Sequence, residues 1–199
     1  MSTVSDITST STTIENLKLD SLKLRKTFIK VKGDDVSIKN LEVNNLDIDP
    51  ISHEILISSE SSSAFDTSTF DMEDFKISNL KDAKYADNSG NLSSQFLKIN
   101  HGIVNVITWD ITDTEIQKFG EIISLTATLN KINLIGDFRA RSSLMHLKGD
   151  LVTVSDLTIE NLEVDPTGIE TLIKSEFNTK LDGSRYTMER FTINNLKDV

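Results

Sequence analysis

Apolar residues along this chain follow steps of two, then three, then two. Val36, Ile38, Leu41, Val43, Leu46 and Ile48 are spaced in this way, and Val152, Val154, Leu157, Ile159, Leu162 and Val164 repeat the same steps. Leu17, Leu19, Leu22 and Leu24 share the rhythm upstream. A step of two puts both side chains on one face of a strand. A step of three reverses the face unless the strand kinks or ends between the pairs, and neither step fits the 3.6-residue period of a helix. The rhythm therefore predicts very short strands joined by corners. Asn40, Asn44, Asn45 and Asp49 are residue types that adopt turn conformations at low cost. Such a backbone must either wind into a solenoid or wrap around copies of itself to bury its apolar pairs.

The rhythm belongs to a longer stretch that occurs twice. Residues 22–83 lie over residues 138–199 without a gap, at a constant offset of 116, and 25 of the 62 aligned pairs are identical. Lys32-Gly33-Asp34 falls on Lys148-Gly149-Asp150, Met72-Glu73 on Met188-Glu189, and Asn79-Leu80-Lys81-Asp82 on Asn195-Leu196-Lys197-Asp198. The chain has two prolines, and they take the same place in each copy, in Asp49-Pro50 and Asp165-Pro166. An ungapped match of this length indicates a tandem duplication, which organises every other expectation.

Four regions follow. Residues 1–21 read as a flexible N-terminal arm with the first short strands, because residues 1–12 carry little to bury. Residues 22–83 and 138–199 are the two module copies. Residues 84–137 form a small β-rich unit between them. Gly33-Asp34 marks a turn in copy one and Asp182-Gly183 one in copy two, and Leu24, Phe28, Ile29 and Val31 alternate with Lys23, Arg25, Lys26, Lys30 and Lys32 as a strand with one solvated face. Asp-Pro is a helix-start signal, so short helices are expected over 51–63 and, from Ile169, Leu172, Ile173 and Phe177, over 169–178. Met72, Phe75, Ile77 and Leu80 close copy one as a β pattern, as Met188, Phe191, Ile193 and Leu196 close copy two. In the unit between, Ser93-Ser94-Gln95-Phe96-Leu97 is expected to open a helical turn and Asp113-Thr114-Glu115 to cap another. The segments 103–109, 122–125 and 129–135 read as strands.

Composition narrows the function classes. The formal charge of −10 is spread along 199 residues and forms no basic stripe, which argues against nucleic-acid binding. There is no cysteine, so disulfides and thiolate metal sites are excluded. No apolar run approaches membrane-spanning length, and the N-terminus lacks the basic start and apolar core of a signal peptide. With 37% hydrophobic and only 6% aromatic residues, a thin core is expected rather than a large globular one.

No catalytic constellation is visible. His53, His101 and His146 are far apart and have no partner at a metal-ligand spacing. His101 could meet its symmetry mates on a three-fold axis. Asp110, Asp113 and Glu115 are close enough to hold calcium, yet lack the glycine and regular oxygen spacing of a calcium loop. Phosphate loops, nucleophile elbows and divergent carboxylate pairs are missing. The expectation is a non-enzyme with no cofactor.

Two segments resemble a known family. Lys84-Tyr85-Ala86-Asp87-Asn88-Ser89-Gly90-Asn91-Leu92-Ser93-Ser94-Gln95-Phe96-Leu97-Lys98 resembles a recurrent segment of tailed-bacteriophage tail-fibre proteins that ends in Ser-Ser-Gln-Phe-Leu-Arg. It departs from that pattern at Gly90-Asn91 and at Lys98. The stretch from Gly149 to Ile159 is similar to the Gly-Asp-Leu-Thr-Val ladders of phage fibres. The resemblance implies a virion structural protein, assembled in the host cytoplasm and concerned with host attachment. It also implies an elongated, intertwined homotrimer of mainly β-structure with short helices, associated with other tail or baseplate proteins. Leu41, Val43, Leu46 and Ile48, with Leu157, Ile159, Leu162 and Val164, would then form the shared oligomer core. The alternative is a single-chain β-solenoid that binds or cleaves polysaccharide, marked by asparagine ladders and aromatic clefts. Copy two stops where copy one continues into the fibre-like segment, so the expectation is a longer fibre or a partner joined at residues 196–199.

Overall fold

The computed structural model describes residues 5–24, 27–48, 55–63, 65–82, 95–116, 118–136, 138–140, 145–164, 173–177 and 183–198. Nearly all of them lie in strands, and all strand pairings are parallel. The chain winds through seven coils, each of which lays its strands on those of the coil before.

Coil 1 consists of β1 (Ser5–Thr8), β2 (Ser11–Glu15) and β3 (Lys18–Leu24), and coil 2 of β4 (Ile29–Lys32) and β5 (Asp35–Ile48). Coil 3 has β6 (Ile55–Glu60) and β7 (Thr69–Asp82), and coil 4 has β8 (Gln95–Asn100) and β9 (Ile103–Ile116). Coil 5 contains β10 (Lys118–Ile123), β11 (Thr126–Ile135) and β12 (Phe138–Ala140). Coil 6 contains β13 (Met145–Lys148), β14 (Leu151–Glu160) and β15 (Leu162–Val164). Coil 7 contains β16 (Ile173–Glu176), β17 (Arg185–Asn194) and β18 (Lys197–Asp198). The short first strands stack as one seven-stranded sheet in the order β1-β4-β6-β8-β10-β13-β16. The long strands stack beside them, β2 and β3 on β5, then β7, β9, β11, β14 and β17.

The step of three is where the chain turns. Asn40 sits between Ile38 and Leu41 with φ 52°, and Asn45 between Val43 and Leu46 with φ 54°. A left-handed residue rotates the strand at that point, so the apolar residues on both sides of it face the interior. Every coil repeats the device. The first corner is held by Asn16, Asn40, Asp74, Thr108, Lys131, Asp156 and Arg190, and the second by Ser21, Asn45, Asn79, Asp113, Gly136, Asn161 and Asn195, all at positive φ. Asn and Asp tolerate this conformation best among residues with a side chain.

The corners hold the register, and the register builds the core. Leu41, Phe75, Trp109, Ile132 and Leu157 stack in one column, each at most 1% exposed. Val43, Ile77, Ile111, Leu134 and Ile159 form the next. The rings of Phe75 and Trp109 meet edge to face at 5.4 Å, and Phe75 meets Phe96 from the opposite sheet at 5.5 Å. Each fully buried Leu, Ile or Phe contributes roughly 1.5–3 kcal/mol.

Several expectations are corrected. Ile55–Glu60 and Ile173–Glu176 are strands, not parts of helices. Their backbone groups pair with neighbouring coils, β6 with both β4 and β8, and β16 with β13. A helix there would leave those edges unsatisfied. Gln95–Asn100 is likewise a strand, and Asp113 is a corner inside β9 rather than a helix cap. The N-terminal segment enters the solenoid from Ser5 onward. The Asp49-Pro50 and Asp165-Pro166 landmarks and residues 83–94 lie outside the described residues. The strand bounds of coils 2 and 3 recur 116 residues later: Ile29–Lys32 as Met145–Lys148, and Thr69–Asp82 as Arg185–Asn194 with Lys197–Asp198.

Candidate functional site

Six of the eight residues expected to form a shared oligomer core lie inside one chain. Leu41, Val43, Leu46, Leu157, Ile159 and Leu162 are each at most 1% exposed without any second chain, while Ile48 ends β5 and Val164 ends β15. Stacked coils supply the burial that intertwined chains were expected to supply.

The outer wall is polar and laddered. Asn40 Nδ2 donates to Asn16 Oδ1 at 3.0 Å, Asn79 Nδ2 to Asn45 Oδ1 at 2.7 Å, and Asn195 Nδ2 to Asn161 Oδ1 at 3.0 Å. Between the corners Ser78 Oγ donates to Asn44 Oδ1, Asn105 Nδ2 to Asp71 Oδ1, and Asn133 Nδ2 to Asp110 Oδ1. Arg190 replaces asparagine at its corner and grips Asp156 through both Nε and Nη2, which raises the guanidinium pKa and lowers that of Asp156. Lys18 Nζ donates to Glu42 Oε1 at 2.8 Å, and this bond is the main reason the Glu42 carboxyl is held below its ordinary value. A groove of about 390 Å³ lies on this wall, lined by Asn40, Glu42, Asp74, Lys76, Thr108 and Asp110.

The histidines do not converge. His101 is fully buried, its Nε2 2.8 Å from Ser59 Oγ and its ring tilted against Phe70 at 5.8 Å. Burial pushes its pKa down to about 4. It is a core residue, and cannot meet symmetry mates on an axis. His146 stands between Glu121 (3.6 Å) and Glu176 (3.5 Å) in the column of the short-strand sheet. His53 lies outside the described residues. Asp110 is occupied by Asn133, and Asp113 turns a corner. Among the described residues no group of three or more His, Asp or Glu is placed to hold a metal, and no helix is long and apolar enough to cross a membrane.

The candidate site is the free edge of coil 7. Met188, Phe191 and Leu196 are 39%, 37% and 55% exposed, whereas Met72, Phe75 and Leu80 at the same places in coil 3 are at most 1% exposed. The difference has one cause: β7 is covered by β9, whereas among the described residues β17 pairs with β14 alone. Tyr186, beneath the same edge, is half-buried, and desolvation raises its hydroxyl to about 12. An edge of this kind offers a row of unpaired backbone groups together with apolar side chains. The sequence signal for it lies in the apolar Phe191, Ile193 and Leu196, but which of the two copies is covered depends on coil order.

The chain matches no family model, no curated protein and no solved structure.

Proposed function

We propose that this chain is a non-catalytic structural segment of a virion fibre, of the tail-fibre or fibre-attachment kind, built from two copies of one 62-residue module. The observation that carries the proposal is the filled interior of the solenoid. Phe28, Phe70, Phe75, Phe96 and Trp109 all point inward and are fully buried, and the described groove on the wall is lined mainly by amide, hydroxyl and charged groups. Repetitive coils held by amide ladders and a continuous apolar core suit a part whose task is length and stiffness. The fibre-like Lys84 to Lys98 segment supports the virion setting. Self-association and contact with other tail or baseplate proteins belong to the same proposal, and a homotrimer would form from the outer walls of complete coils. The test is mass spectrometry of particles purified from a culture that encodes the chain, with immunogold labelling. Peptides of the chain in intact particles, and label on thin projections, are expected; their absence overturns the proposal.

A second reading is a solenoid that binds polysaccharide. The asparagine ladders and the groove lined by Asn40, Glu42, Asp74, Lys76, Thr108 and Asp110 favour it. Calorimetry against purified host surface glycans separates the two: saturable binding lost in a Glu42→Ala/Asp74→Ala variant supports this reading, and no heat removes it.

A further inference from the structure

We propose that the free edge of coil 7 receives coil 1 of a second copy of this chain, so that copies stack end to end with their coils in register. Coils 3 and 4 give the precedent. Coil 3 shares most of the inward-facing apolar positions of coil 7, and it is covered in this structure by a parallel coil. The free edge on a second copy that presents the same geometry is that of coil 1.

The two edges match in shape. Coil 1 turns at Asn16 and Ser21 and coil 7 at Arg190 and Asn195, both pairs five residues apart and all at positive φ. Continuing the register of the stack sets Met188 on Ile14, Phe191 on Leu17, Ile193 on Leu19 and Leu196 on Leu22. The coil 1 residues of this set are only partly buried against their own core, so they too have area left to cover.

The outer positions also continue. In the short-strand sheet Asp6 pairs with Lys30 at one end of a column, and Lys174 closes the other end. Adding a second copy places its Asp6 beside Lys174. Asn194 meets Asp20, in keeping with the amide-to-carboxylate ladder of Asn105 on Asp71. Glu189 meets Glu15, a like-charge contact at exposed positions, where solvent screens it. Because the contact joins two different faces, each added copy leaves a free edge of the same kind, and the association grows as a filament rather than closing as a dimer.

The inference rests on the structural reading above but can fail alone. The chain has no cysteine, so engineered pairs report contact without ambiguity. Thr192 and Lys18 are exposed, outward-facing and opposite each other in the proposed register, and neither fills the core. Thr192→Cys and Lys18→Cys variants of the full chain are mixed and mildly oxidised. A 192–18 cross-linked heterodimer is expected, with no 192–192 species. Light scattering of the unmodified chain is expected to shift from 22.2 kDa toward multiples of that mass as concentration rises. A constant single-chain mass overturns the inference, as does a 192–192 cross-link, which would mean that two coil 7 edges meet. Particle-bound chain with no 192–18 cross-link would leave the virion reading standing and remove this one.

Discussion

Asn79 Nδ2 donates to Asn45 Oδ1 at 2.7 Å, and both residues hold positive φ, 55° and 54°. The pair joins coils 3 and 2 at the second corner, and it explains a feature of the sequence that periodicity alone leaves puzzling. The side chain that tolerates the left-handed backbone also bonds its counterpart one coil away, so the residue that bends the chain aligns it too.

Asn45→Val should destabilise the chain by about 1–3 kcal/mol, because a β-branched residue is strained at positive φ and the amide ladder is interrupted. Asn45→Gly keeps the backbone permitted and loses only the side-chain bonds, so it should cost less. Urea denaturation of the two variants checks the order. A valine variant as stable as the glycine variant would mean that corner conformation does not limit stability.

Leu157 sits in the column of Leu41, Phe75, Trp109 and Ile132 within one chain. Leu157→Ala should cost about 2–5 kcal/mol through the cavity it leaves. Since the core is intrachain, the unfolding of the coils should show the same loss over a wide range of protein concentration. A loss that disappears at high concentration would place this leucine in an interchain core instead.

His101 gives the fold a pH dependence. Its pKa falls from 6.5 to about 4 on folding because burial disfavours the charged ring. The unfolded chain therefore binds more protons between these values, and stability rises with pH across that window. Its contribution is complete above pH 6.5 and is lost as pH falls toward 4, which amounts to about 2 kcal/mol at pH 5. His101→Leu combined with Ser59→Ala removes the titrating ring and the hydroxyl it faces. The difference in unfolding free energy between pH 7 and pH 5 should shrink by about this amount in the double variant; an unchanged difference refutes the assignment.

Gly102 lies where a Cβ would run into the backbone carbonyls of Phe65 and Asp66, and its N–H donates to Ser68 Oγ at 3.0 Å. Gly102→Ala should cost about 1–3 kcal/mol through overpacking that the backbone has to absorb. Thermal unfolding followed by circular dichroism measures it. A neutral result would show that the segment around Phe65–Thr67 can move aside freely.

The alternation of Val36, Ile38, Leu41, Val43, Leu46 and Ile48, with Asn40 and Asn45 in the longer steps, makes the strand-and-corner pattern legible in the sequence. The free edge of coil 7 is legible there only as three apolar residues late in the chain. Their counterparts Phe75, Ile77 and Leu80 look the same in sequence and are buried, because exposure depends on whether another coil follows in space.

What the sequence by itself determined was local: which residues face inward, where the backbone turns, and that one stretch recurs with an offset of 116. These follow from side-chain volume, left-handed tolerance and direct comparison, none of which needs a distant partner. Tertiary structure decided that the apolar pairs are covered by the same chain 23 to 34 residues away rather than by sister chains. It also made strands of Ile55–Glu60 and Ile173–Glu176, where the local spacing suited a helix, and set His101 against Ser59, 42 residues earlier. Each of these rests on hydrogen bonds and contacts between coils, and the residues that complete them are remote in sequence.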